Sequence, residues 1–130
     1  QVKSRRVLAD KSSMTIKLRR HIYLGGVQCR QYTSDEFDLL VGCMVSKDDD
    51  SLWCLWLIPM DELVKRGKTN QKRLQTASLT LYLPDAVLRT KSRRDEQTWQ
   101  KEFFFEAERL RNDHGERERF AKIIARTRAV

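Results

Sequence analysis

Two apolar runs, FDLLVGCMV over 37–45 and SLWCLWLIP over 51–59, constrain this chain more than anything else in it. Neither alternates with the period of a strand that has one wet face. Strands that are apolar almost throughout have to be covered on both faces. Only the acidic linker SKDDDS separates them, far too short for a crossover, so the two are expected as neighbouring antiparallel strands at the centre of a sheet. Something must then lie above and below that hairpin, and the rest of the sequence supplies it.

The amphipathic pieces come next. QVKSRRVL is a short β-capable segment, and MTIKLRRH alternates cleanly, with Met14, Ile16 and Leu18 on one side. The polar ADKSS between them suggests a hairpin. YLGGVQCRQY reads as a loop with Gly25-Gly26 as its flexible point, and Thr33-Ser34-Asp35-Glu36 has the form of a capping box that would start a helical turn. After Pro59, MDELVKRG reads as a short helix closed by Gly67, and SLTLYLP as a strand with Leu79, Leu81 and Leu83 on one face. RDEQTWQKEFFFEAERLRN predicts one long helix whose stripe is Trp99, Phe103, Ala107 and Leu110, with Asp95 and Glu96 in its first turn. ERERFAKIIARTR predicts a second, basic helix. The order describes a mixed α/β (α+β) domain over residues 1–130: a mixed central sheet flanked by helices.

Composition limits the function classes. The chain has 130 residues, 34% of them charged, with a net charge of +8. No apolar run reaches the ~18 residues of a membrane span, so no membrane role is expected. Cys29, Cys43 and Cys54 are odd in number and lack metal-site spacing, which argues against zinc and for a reducing, intracellular compartment. Lys3, Arg5, Arg6, Lys11, Lys17, Arg19, Arg20 and Arg30 crowd the first 30 residues against Asp10 alone, and Arg89, Lys91, Arg93 and Arg94 form a second group. Such clusters suit a phosphate backbone, although a solvated basic surface or an acidic protein partner fits the same charge.

Candidate chemistry is sparse. There is no G-x-S-x-G and no phosphate-binding glycine loop. Asp48-Asp49-Asp50 is expected to be a solvated turn, and His21 and His114 to be surface residues. Asp38, at the head of a buried strand, is expected to cap or to pair with an arginine. Trp53, Trp56, Phe103, Phe104 and Phe105 are core candidates, and Phe104, off the Trp99 stripe, is the one suited to an interface. Gln1 and Lys3 stand apart. On a strand, residues i and i+2 share a face, so QVK would present an amide oxygen and an ammonium side by side.

The succession QVKS, MTIKLRR, YTSDEFDLLVG and LWCLWLIPMDEL resembles the PD-(D/E)xK (restriction-endonuclease-like) nuclease superfamily, closest to its homing-endonuclease-like members, in which the E-x-K element is often Q-x-K. The resemblance spans residues 1 to 64 well and 77–110 in order and character only. It implies that the chain is the C-terminal part of a nuclease-like domain whose first strand and helix, with a principal aspartate ligand, lie upstream. It also implies Mg2+ as cofactor and DNA as partner. Gln1 would be a metal ligand, Gln1 and Lys3 catalytic, and Lys3, Arg5, Arg6, Lys17, Arg19, Arg20 and Arg30 would contact nucleic acid. A homodimer or larger assembly stays open, as does an inactive nuclease-like module that binds or organises.

Overall fold

In the computed structural model the described residues are 2–8, 13–17, 19–23, 27–31, 37–46, 48, 51–68 and 78–128. The centre is a four-stranded sheet in the order β1 (Val2–Leu8), β5 (Leu39–Val45), β6 (Leu52–Pro59) and β8 (Phe104–Glu106). β5 and β6 pair antiparallel, as the two apolar runs require, and they are the inner strands. Two further pairs flank the sheet in sequence: β2 (Ser13–Lys17) with β7 (Ser78–Tyr82), and β3 (Arg19–Tyr23) with β4 (Val27–Gln31). The helices are α1 (Met60–Lys65), α2 (Lys91–Gln100), α3 (Ala107–Asn112) and α4 (His114–Arg128), with a 3₁₀ turn at Lys101–Phe103. The fold is therefore a mixed α/β architecture, a mixed sheet flanked by helices.

Both faces of the β5–β6 hairpin are covered, by different means. Leu40, Met44, Cys54, Trp56 and Ile58 form one fully buried face. The β2–β7 pair lies over it so closely that a Cβ on Gly42 would stand 2.7 Å from Leu81 Cδ1 and 3.1 Å from Met14 Sδ. Glycine is needed here for space, not for its backbone freedom. On the other face Leu57 and Leu55 are buried under α3 and α4, and Phe105 of β8 meets Phe120 edge to face at 5.3 Å.

Several expectations are corrected by this topology. QVKSRRVL and MTIKLRRH do not form a hairpin: β1 pairs parallel with β5, while β2 pairs antiparallel with β7. The physical reason is the Met14–Ile16 face, which matches Leu79 and Leu81 and closes over Gly42. The segment read as a glycine loop contains β4, whose partner β3 is the second half of MTIKLRRHIY. The capping-box residues 33–36 lie outside the described residues.

The long helix is also broken. α2 stops at Gln100, and Phe104–Glu106 leaves the helix to pair with Cys54–Trp56. Three consecutive phenylalanines carry high β-propensity, and the edge of β6 offers them backbone partners and burial. The stripe survives the break, since Trp99, Phe103 and Ala107 are all buried. Because α2 begins at Lys91, Asp95 and Glu96 are not in its first turn, which has no acid; Glu96 instead meets Lys68 at 3.3 Å.

Local chemistry explains the junctions. α1 ends in a paired C-terminal motif: Lys68 N donates to Leu63 O at 2.9 Å and Gly67 N to Val64 O at 3.0 Å, with Gly67 at φ 71°. α4 begins on Asp113, whose Oδ1 accepts from Gly115 N at 2.9 Å. Two buried glutamines fasten α2 to the preceding segment. Gln100 accepts from Tyr82 N and donates to Thr80 O, so its amide pairs with β7 as a strand would, and Gln97 donates to Leu83 O and Ala86 O.

Candidate active site

The strand carrying Lys3 lies at the edge of the four-stranded sheet, and its parallel register decides what stands beside it. Lys3 is level with Leu40, Arg5 with Gly42 and Arg6 with Cys43. Leu39, level with Val2, follows directly on Asp38. Asp38 is thus two positions before the partner of Lys3, with the same parity, at the exposed head of β5. Gln1 lies outside the described residues.

That end of the sheet is braced. Asp38 O accepts from Met60 N at 2.9 Å, which fixes where β5 begins relative to where α1 begins. From α1, buried Glu62 accepts from Arg66 Nε at 3.0 Å and from Arg126 Nη2 at 3.2 Å, while Asp61 Oδ2 takes Arg126 Nε at 2.9 Å. Burial alone would lower the Arg126 pKa, but the hydrogen bonds it donates to Asp61 and Glu62 raise it above its ordinary value. The two arginines also lie over aromatic rings, Arg66 over Trp99 at 5.2 Å and Arg126 over Phe103 at 5.9 Å. One short helix so ties the end of β6 to α2 and α4.

The remaining predicted site residues are divided among separate pairs of strands. Lys17 is level with Ser78 at the end of the β2–β7 pair. Arg19 is level with Gln31, and Arg20 directly with Arg30, across β3–β4. The second basic group is exposed at the start of α2, where Arg93 N donates to the Thr90 hydroxyl and Arg94 to Leu88 O. Cations there oppose the helix dipole.

Other sequence candidates take ordinary places. Asp48 sits in the turn between β5 and β6, its N–H donating to Ser46 Oγ at 3.2 Å. His114 pairs with Glu118 at 3.0 Å on the surface of α4. Burial pushes the Cys54 thiol up to about 12. Among the described residues no group of three His, Cys, Asp or Glu could hold a metal ion, and no helix is long and apolar enough to cross a membrane.

One core assignment is wrong. Trp53 is 45% exposed, whereas Trp56 is fully buried. Met44 is level with Cys54 but Val45 with Leu52, so Trp53 is the extra residue of a β-bulge. A bulge turns a side chain out of the regular alternation. Its only sequence signal is that LWCLWLIP is one residue too long for the pairing.

No protein-family model matches the sequence, and no curated protein matches it. Among solved structures the chain is similar to the crystal structure of MepB, at 20% identity and a TM-score of 0.60, over 82% of this chain and 70% of that one. At this identity the likeness concerns the fold.

Proposed function

We propose that this chain is part of a metal-dependent DNA endonuclease of the PD-(D/E)xK type, hydrolysing phosphodiesters at the sheet edge that carries Lys3. The observation that supports this reading is the parallel β1–β5 register, in which Lys3 and Asp38 share one end of the sheet, two register steps apart. Lys3 would orient the attacking water and offset charge growing on the phosphate. Asp38 is a hard oxygen donor suited to Mg2+, and with the Gln1 carbonyl it would form part of the donor set. When bound, the ion supplies Lewis-acid polarisation of the phosphate. The basic residues crowded into the first 30 positions support a polyanionic partner.

The test is Mg2+-dependent cleavage of duplex DNA by the full-length protein. Lys3→Ala should lower the rate by about 100-fold or more while changing DNA affinity only a few-fold, since one lysine among many adds little to binding but acts on the transition state. Cleavage at the wild-type rate ends the catalytic reading. The β3–β4 arginines would then favour the second one, a nuclease-like module that binds nucleic acid without cutting it.

A further inference from the structure

At the far end of the sheet from Lys3 the bulge opens a recess of about 230 Å³, lined by Trp53, Leu83, Pro84, Phe104, Asp85 and Glu106. We infer that this recess is a docking site for an arginine side chain of a partner protein, stacked on Trp53 and paired with Glu106 and Asp85. The inference is independent of the nuclease reading. It rests on a local charge opposite to that of the whole: the chain carries +8, yet among the described residues the only charged ones lining this recess are two acids. Its floor is aromatic and apolar, with Phe104 held edge to face against Trp56 at 5.2 Å. Cys54, also in the wall, stays a neutral thiol and adds no charge of its own.

The chemistry selects a guanidinium over other occupants. Its planar face stacks on an exposed indole, and its edge donates two parallel hydrogen bonds to a carboxylate. An ammonium makes the ion pair without the flat stacking. A nucleic-acid backbone would have to bring phosphates against Asp85 and Glu106. A second recess of about 180 Å³, also lined by Trp53, contains Glu106, Glu108 and Arg111. Glu106 lines both, with Arg111 in the second recess and, among the described residues, no charge but that of two acids in the first.

The experiment follows the Trp53 indole N–H by NMR, assigned by its loss in Trp53→Phe, during titration with a capped Gly-Arg-Gly peptide. A saturable shift is expected, at least tenfold weaker with citrulline in place of arginine and several-fold weaker with lysine. Glu106→Gln should weaken arginine binding several-fold without changing the melting temperature, because Glu106 is exposed. Equal binding of the citrulline peptide, no effect of Glu106→Gln, or no saturable shift overturns the proposal. A shift produced instead by a DNA oligonucleotide overturns it in favour of a nucleic-acid surface. Concentration-dependent self-association that disappears in Trp53→Ala would replace the partner with a second copy of the chain.

Discussion

The two ends of the β5–β6 hairpin are built in opposite ways. Where β6 runs into α1, polar groups are matched: Asp61 and Glu62 hold Arg126, Glu62 holds Arg66, and both guanidiniums lie over aromatic rings. Where β6 begins, the pairing slips by one residue, Trp53 is turned outward, and acids line a recess that has no cation among its described residues. The first end is closed by contacts within the chain, and the second is left for contacts from outside it. The closed end is where Asp38 and Lys3 stand two register steps apart, and the catalytic site we propose there would benefit from such bracing. The open end has only to accept a side chain.

The largest effect that could break this contrast belongs to the residue shared by both ends. Trp56 is fully buried at the middle of β6, level with Gly42 and against Phe104. Trp56→Ala should cost about 3–5 kcal/mol, much of the roughly 5–15 kcal/mol of a typical domain, seen as a lower midpoint in urea unfolding. A loss no greater than that of a surface residue would mean the hairpin is not the centre of the folding unit.

The next pair separates the ends directly. Glu62→Ala leaves two arginines without their common buried acceptor and should cost about 1–3 kcal/mol. Trp53→Ala removes a larger side chain, yet should change stability by no more than about 0.5 kcal/mol because it is exposed. Thermal melts of the two variants side by side decide it. Equal losses would show that Trp53 stabilises the fold from within and would remove the open end from consideration as a binding surface.

The same contrast marks what the sequence could and could not disclose. The hairpin was legible because its apolar runs leave a single way to bury both faces, and α1 because proline and glycine bracket it. The parallel placement of β1 beside β5 was not, since pairing between distant strands depends on tertiary fit: Met14 and Ile16 suit Leu79 and Leu81 better than anything in QVKSRRVL. The break at Phe104 was hidden by a helical stripe that persists through it, with Trp99, Phe103 and Ala107 buried whether or not the backbone between them is helical. Lys3 could be singled out from the Q-x-K pattern, but its place two register steps from Asp38 exists only in the pairing of β1 with β5. The acid–aromatic recess gave no signal, because Trp53, Asp85 and Glu106 are far apart in sequence and Trp53 resembled a core residue.

The smallest effect concerns the junction from which α4 reaches the closed end. Asp113 Oδ1 accepts from the backbone of Glu116 and Gly115, and its Oδ2 takes Arg109 Nη2 at 3.4 Å. The backbone bond from Glu116 leads, and Arg109 and Gly115 add to it, so the Asp113 carboxyl ionises below its ordinary pKa. A carboxylate whose pKa is lower in the folded than in the unfolded state contributes stability that is fully present above the unfolded value and is lost as pH falls through the folded one. Asp113→Asn keeps an oxygen that caps the helix but cannot titrate. The melting-temperature difference between the wild type and Asp113→Asn should therefore be constant above about pH 5 and shrink as pH falls below about 4. A difference that does not change with pH would mean that the cap acts through the shape of its hydrogen bonds alone. The anchorage of Arg126 at the closed end would then owe nothing to charge at the start of α4.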